Sequence, residues 1–146
     1  MNKRGYVRWL MFITGVLSIG NTSAEDKLAD FQWQHRVLIT QLPSKDVLAQ
    51  WQAYFTYQQA DLTARKLVAF VQIDKTVYRL TQGQAQFTSV HLRQDILALL
   101  DRHPDTVLLI GLDGGIKEVY PLSDFSLEQV FAEVDLMPMR KAEIGR

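Results

Sequence analysis

The chain of 146 residues contains no cysteine. This absence excludes disulfide bonds and a lipoprotein attachment site. It also excludes catalysis by a thiolate, because disulfide exchange requires sulfur that can ionise, which a methionine thioether cannot do. The stability of the fold must therefore come from packing.

An excess of charge of one sign is also absent. Lys and Arg together number 16, as do Asp and Glu, and the formal net charge is zero. Proteins that bind nucleic acid neutralise phosphates with clustered basic side chains, and no such cluster occurs in the sequence. We therefore do not expect nucleic acid as a partner.

The chain lacks an apolar run of the roughly 20 residues that a membrane-spanning helix needs. A run of 11 residues, Trp9–Ile19, follows a basic start and precedes the small residues Thr22 and Ala24. This pattern predicts a signal peptide at residues 1–24, cleaved after Ala24. We expect the mature chain, residues 25–146, to be periplasmic or secreted, without stable membrane insertion.

The mature chain is long enough for a single domain with its own core. Cleavage removes three basic residues and leaves 13 basic against 16 acidic side chains, a formal charge of −3. The surface is therefore expected to be slightly acidic.

Changes in the period of the apolar pattern place the secondary structure. Continuous or β-branched apolar runs predict strands, and apolar residues three and four positions apart predict helices that begin after the capping residues Ser44 and Ser126. In chain order we predict a strand at Val37–Leu42, a helix after Ser44, a loop at Asp61–Arg65, a strand at Leu67–Ile73, a short strand within Lys75–Leu80, a loop at 81–89, a helix at Val90–Arg102, strands at Thr106–Leu112 and Ile116–Tyr120, and a helix after Ser126.

The two final strands are predicted to form a hairpin. Asp113 and Gly114 favour a two-residue turn in which both residues have positive φ, and Gly115 can supply a third such position. Residues 135–146 then form a tail with two exposed methionines.

This order predicts an α/β fold, a thioredoxin-like three-layer sandwich. Its four-stranded mixed sheet ends in a C-terminal β-hairpin and helix, and the first βαβ unit crosses over with the usual right hand. Another small α/β sandwich with the same element order is the alternative.

Two segments resemble a known family. "DFQWQHRVLITQ" near the mature start and "VLLIGLDGGIKEVYPLSDFSLEQVFAEVDLMPMR" near the end are similar to the domain of unknown function 4174 family, small exported bacterial proteins. Related domains are repeated in some animal extracellular matrix proteins. The resemblance implies a thioredoxin-like fold with kinship to peroxiredoxins, and it implies no reaction.

Thiol chemistry can be tested against the residues themselves. A thioredoxin-type enzyme carries its reactive cysteine at the start of the helix after the first strand, where this chain has "QLPSKD" at Gln41–Asp46. His35, His91 and His103 show no metal-ligand spacing. We therefore predict no cofactor, no metal and no catalytic group.

A small polar site is nevertheless conceivable at the carboxyl ends of the parallel strands, where open α/β sheets bind ligands. Asp74 follows the second strand, and Ser44, Lys45 and Asp46 follow the first. Alternatively, Ser44 is only a helix cap and Asp74 only a turn residue.

A second candidate is a surface for a protein partner. Lys117 and Glu118 lie on the predicted edge strand of the hairpin, and Met137, Met139 and Arg140 lie in the tail. Methionine-rich surfaces adapt to partners, although a methionine packed under a chain terminus is common.

The sequence thus favours a binding or accessory module of the cell envelope that is not an enzyme, with another envelope protein as partner and an undetermined oligomeric state. The alternative is a small-ligand-binding protein or hydrolase that uses Asp74 and the groups at 44–46.

Overall fold

A computed structural model describes residues 26–145. The predicted signal peptide and its cleavage after Ala24 therefore lie outside the described residues. Within residues 26–145, no helix is both long and apolar enough to cross a membrane.

The described chain alternates strands and helices, as the periodicity predicts. The strands are β1 (Arg36–Gln41), β2 (Leu67–Ile73), β3 (Thr76–Leu80), β4 (Gln86–Phe87), β5 (Thr106–Ile110) and β6 (Ile116–Pro121). The helices are α1 (Lys45–Tyr57), α2 (Gln59–Ala64), α3 (Val90–Leu100), α4 (Leu127–Leu136) and α5 (Pro138–Ile144), and short 3-10 turns cover Leu28–Phe31 and Leu122–Asp124.

The strands form one mixed sheet in the order β4-β3-β2-β1-β5-β6. β1 and β2 are parallel, and the other neighbours are antiparallel. Four adjacent strands, β2-β1-β5-β6, correspond to the predicted thioredoxin-like sheet. The prediction of four strands is wrong in number, because the antiparallel strands β3 and β4 extend the sheet beyond β2 to six.

Each face of the sheet is covered by helices, which gives the predicted three layers. Leu38 of β1 points into the core shared with α1, α2 and α4, whereas Val37 and Ile39 point into the core shared with α3 and the first 3-10 turn. All three side chains are buried. The continuous apolar runs of the central strands therefore reflect burial on both faces.

The predicted loop at Asp61–Arg65 is wrong, because most of it lies in α2. Leu62 lies seven residues after Phe55, on the same helical face, and both are buried in one core. The helix is interrupted only at Gln58 and then resumes.

The tail after Asp135 is folded rather than extended. α4 continues to Leu136, Met137 is extended, and α5 begins at Pro138, which suits the first helical position. Met137 is half-buried, and Met139 is 42% exposed.

The hairpin turn also differs from the prediction. Gly114 alone has positive φ (83°), and neither Asp113 nor Gly115 does. Gly111 accepts a hydrogen bond from the Gly114 amide at 3.0 Å and donates one to Gly115 at 2.9 Å. The loop therefore has three residues, Leu112 to Gly114, and needs one left-handed position.

Candidate functional site

The residues of the predicted polar site occupy ordinary structural positions. The Ser44 hydroxyl caps α1 by accepting a hydrogen bond from the Val47 amide at 3.4 Å, and Lys45 and Asp46 are exposed in its first turn. Asp74 is exposed in the two-residue turn between β2 and β3, with a φ of 53° that aspartate tolerates. Capping and turn formation account for Ser44 and Asp74.

A depression of about 330 Å³ lies at this end of the sheet. Its walls include Leu42, Pro43, Asp105 and Leu122, and none of the four candidate residues. The cavity therefore adds no support to the predicted polar site.

The opposite end of the sheet carries a cavity of about 290 Å³, here called the tail cavity. It lies between the β5–β6 hairpin and the junction of α4 with α5, and its walls include Arg36, Leu112, Lys117, Met137 and Met139. Two further depressions adjoin it and share wall residues with it. Three of the five residues predicted for a partner surface, Lys117, Met137 and Met139, thus meet at one cavity.

Arg36 is the most unusual residue of this wall, because it is charged and only 1% exposed. It opens β1 on the same face as Leu38, since side chains alternate along a strand. Its Nη1 donates to the Arg65 carbonyl at 2.8 Å and to Oε2 of Glu143 at 3.4 Å. Its Nε and Nη2 are buried and have no hydrogen-bond partner among residues 26–145. One edge of the guanidinium therefore remains free to donate two hydrogen bonds.

Glu143 of α5 is the carboxylate nearest this buried cation. It also lies 3.3 Å from Nζ of Lys66 and 3.5 Å from Nη1 of Arg140. Burial disfavours its charged form, but the positive charges of Arg36 and Lys66 outweigh that effect and hold the pKa of Glu143 below its ordinary value. Glu143 is thus ionised at neutral pH and shared among three cations.

A second ion pair fastens the end of α4. Nε and Nη2 of Arg65 donate to the two carboxylate oxygens of Asp135 at 3.0 and 2.7 Å, and the Arg65 guanidinium lies 4.5 Å from the ring centre of Phe131. Nε of Arg140 lies 3.3 Å from Asp135. Hydrogen bonds from Arg65 and Arg140 hold the pKa of Asp135 below its ordinary value.

Arg140 and Glu118, the other two predicted partner-surface residues, have local partners. Nη1 of Arg140 donates to the Ala64 carbonyl at 2.6 Å, which joins α5 to α2. Glu118 is exposed on the edge strand β6, where its carboxylate accepts a hydrogen bond from the Val119 amide at 3.0 Å. Arg140 therefore belongs to the ion network, and Glu118 to the strand edge.

Lys117 is paired within the hairpin. Its Nζ lies 2.6 Å from Oδ2 of Asp113, and the Gly115 amide donates to the other carboxylate oxygen at 3.0 Å. These hydrogen bonds lower the pKa of Asp113. The hairpin thus contributes an ion pair of zero net charge to the cavity wall, whereas the buried Arg36 has two donor nitrogens without an acceptor among residues 26–145.

The sequence pattern did not identify Arg36 and Glu143 as site residues. The sequence held one weak indication that Arg36 is buried. Arg36 lies two positions before the buried Leu38, so both side chains lie on the same face of a strand that is covered on both faces. No local sequence pattern connects Arg36 to Glu143, because the two residues are 107 positions apart. Among residues 26–145, no group of three His, Asp or Glu side chains could hold a metal ion.

Comparison with known proteins identifies a family. A family model described as "Domain of unknown function (DUF4174)" matches residues 27–143. Comparisons with curated proteins and with solved structures give no match. The family match covers most of the chain and agrees with the resemblance of its two ends. The chain therefore belongs to the DUF4174 family.

Proposed function

We propose that this domain is a binding module and not an enzyme, and that the tail cavity is its binding site. The observation that carries this proposal is Arg36, a buried cation that contributes to the cavity wall and has two donor nitrogens without an acceptor among residues 26–145. Such a group is costly to leave without acceptors, so a ligand that supplies them gains binding energy there. Flexible methionines beside it can adapt to the ligand's shape.

A protein partner of the envelope is the occupant we propose, and cross-linking from the cavity tests it. A photoreactive residue replaces Met139 in the full chain, expressed in its native host. The matched control carries the same residue at Tyr57, which is 86% exposed at the end of α1. We expect a discrete cross-linked product from position 139 and none from position 57. Equal products at both positions, or no product at either, would refute a binding role for this cavity.

The location is part of the same proposal. The basic start, the short apolar run and the small residues before Glu25 support export with cleavage after Ala24. The intact mass of protein recovered from the envelope fraction should correspond to a chain that begins at Glu25. An Ala24→Arg variant, which places a large charged side chain at the cleavage site, should retain the longer mass.

The alternative function, a ligand-binding or hydrolytic site at Ser44, Lys45, Asp46 and Asp74, has less support, because capping and turn formation account for two of these residues. Asp74→Asn is the suitable test, since asparagine also tolerates positive φ whereas alanine would strain the turn. If Asp74→Asn abolished a ligand-induced shift in melting temperature, this alternative would replace the tail cavity.

A further inference from the structure

The free edge of Arg36 has the geometry of a carboxylate receptor. Nε–H and one Nη2–H of a guanidinium point in parallel and match the two oxygens of a carboxylate. Both nitrogen atoms lack a partner among residues 26–145, whereas Nη1 on the other side is already committed to Arg65 and Glu143. Arg36 therefore carries two parallel donors without an acceptor, held in place by the contacts of Nη1, and both nitrogen atoms are covered from solvent.

The charges around this edge also favour an anion. Within residues 26–145, the ion network contains four positive side chains and three negative ones: Arg36, Arg65, Lys66 and Arg140 against Asp61, Asp135 and Glu143. The Asp113–Lys117 pair is neutral. One additional negative charge would balance the network, and the low exposure of Arg36 limits the screening of this interaction by solvent.

The other walls of the cavity are mostly apolar, and they restrict the kind of anion. Leu112, Met137, Pro138 and Met139 surround the space beside Arg36. An inorganic phosphate or a sugar acid would leave these groups in contact with polar atoms. A carboxylate attached to an apolar group matches both parts of the cavity, and shifts of the methionine side chains can open access to the buried nitrogens.

The neighbouring strand favours a polypeptide as the source of that carboxylate. β6 is an edge of the sheet, begins beside the cavity at Ile116 and runs away from it. Ile116 and Val119 are 40% and 38% exposed. Ile116 and Val119 pair with Ile110 and Leu108 and therefore lie on the α3 face of the sheet, opposite to Arg36. A peptide whose last residue occupies the cavity could cross β5 and β6 and continue antiparallel to β6, adding a strand whose side chains on the α3 face cover Ile116 and Val119.

We propose that the tail cavity binds the C-terminal carboxylate of a polypeptide whose last residue is apolar. This inference rests on the proposed function and adds the chemical class of the ligand. Arg36 receives the carboxylate through Nε and Nη2, the methionines enclose the last side chain, and β6 supports the preceding residues.

Peptides with free and amidated ends test the proposal directly. A library of random hexapeptides with free C-termini is bound to protein purified from cells that express the full chain, and the best binders are remade as C-terminal amides. We expect selection of apolar last residues and at least a tenfold weaker Kd for the amides. Failure to select any peptide, or equal binding of acid and amide, would overturn the proposal.

Variants assign the effect to Arg36. Arg36→Met should weaken the binding of peptides with free C-termini at least tenfold. Arg36→Lys keeps the charge but loses the parallel donors, so its affinity should lie between those of the unmodified protein and Arg36→Met. Arg102→Met, in the turn after α3, removes the same charge from an exposed site and should bind like the unmodified protein. The melting temperature of each variant, measured in parallel, identifies loss of fold. Unchanged binding by folded Arg36→Met would overturn the assignment, and undiminished binding by Arg36→Lys would overturn the role of the parallel donors.

Small carboxylic acids test whether the ligand carboxylate belongs to a peptide or to a small molecule. Octanoate supplies a carboxylate and an apolar chain without a peptide backbone, and octanol lacks the carboxylate. Octanoate binding as tight as that of the best peptide would overturn the polypeptide assignment. If a partner is cross-linked from position 139 but peptides with free C-termini are not preferred, the proposed binding function is retained. Only the inference of a C-terminal carboxylate ligand is then overturned.

Discussion

Nη1 of Arg36 lies 3.4 Å from Oε2 of Glu143 and joins the first strand to the last helix across 107 residues. The two residues are unequal partners. Arg36 is buried and depends on a few acceptors, whereas the Glu143 carboxylate is 19% exposed and has Lys66 and Arg140 as further cations. Loss of one partner should therefore differ in cost from loss of the other.

Glu143→Gln should destabilise the domain by about 1–3 kcal/mol, because it leaves a buried guanidinium without its carboxylate. Arg36→Met should cost less, because it also removes the two N–H groups that lack acceptors, and Glu143 keeps its other cations. Urea unfolding of both variants measures the difference. A larger loss for Arg36→Met would show that Arg36 stabilises the fold more than its unpaired edge implies.

Acid should weaken the attachment of the last two helices. The pKa values of Asp135 and Glu143 are lowered in the folded chain, so the unfolded chain binds more protons in acid. Their contribution is present above the ordinary carboxyl pKa values, 3.8 and 4.5, and is lost as pH falls through the lower folded values.

The free energy of unfolding, measured from pH 7 to pH 2, should therefore fall less steeply below about pH 4 in an Asp135→Asn/Glu143→Gln double variant than in the unmodified protein. Parallel curves would mean that other carboxylates govern acid unfolding.

Two tyrosines provide a matched test of hydrogen bonding. The Tyr54 hydroxyl donates to Glu128 at 2.8 Å and accepts from the Leu127 amide at 3.0 Å, whereas the buried Tyr120 hydroxyl has no partner among residues 26–145. Tyr54→Phe should destabilise by about 1 kcal/mol, and Tyr120→Phe should be neutral or stabilising by up to about 1 kcal/mol. Thermal unfolding compares them, and a cost for Tyr120→Phe as large as that for Tyr54→Phe would reveal an unseen partner such as water.

Burial, reinforced by the charges of Glu133 and Glu118, raises the pKa of Tyr120 to about 12. In an alkaline absorbance titration of the folded protein, the ionisation step at the highest pH should therefore disappear in the Tyr120→Phe variant. Loss of an early-ionising phenol instead would contradict the burial of this hydroxyl.

The hairpin loop can be tested at adjacent glycines. Gly114→Ala places a Cβ on a residue with φ of 83° and should destabilise by about 1 kcal/mol. Gly115→Ala should be tolerated, because Gly115 lacks positive φ and its new Cβ would lie no closer than 3.5 Å to the nearest atom outside the adjoining residues. Chemical denaturation distinguishes them, and equal losses would favour a turn with two left-handed residues.

The sequence by itself determined the central architecture. Apolar runs such as Leu67–Ile73 identified strands buried on both faces, and Ser44 and Ser126 marked the helix starts, because capping and periodicity are local properties. The conformation of the 113–115 turn was predicted less well, since Gly114, Asp113 and Gly115 all tolerate several turn types. Local chemistry alone did not choose among them.

The candidate site was decided by tertiary structure. Lys117, Met137 and Met139 could be named from their exposed positions and residue types, but their meeting at one cavity depends on how α5 returns toward the start of β1. The role of Arg36 depends on burial by that helix and on Glu143, which no local pattern connects to it. Burial and long-range ion pairing arise only when distant segments pack together, and in this protein they convert an ordinary strand-initial arginine into the proposed receptor for a carboxylate.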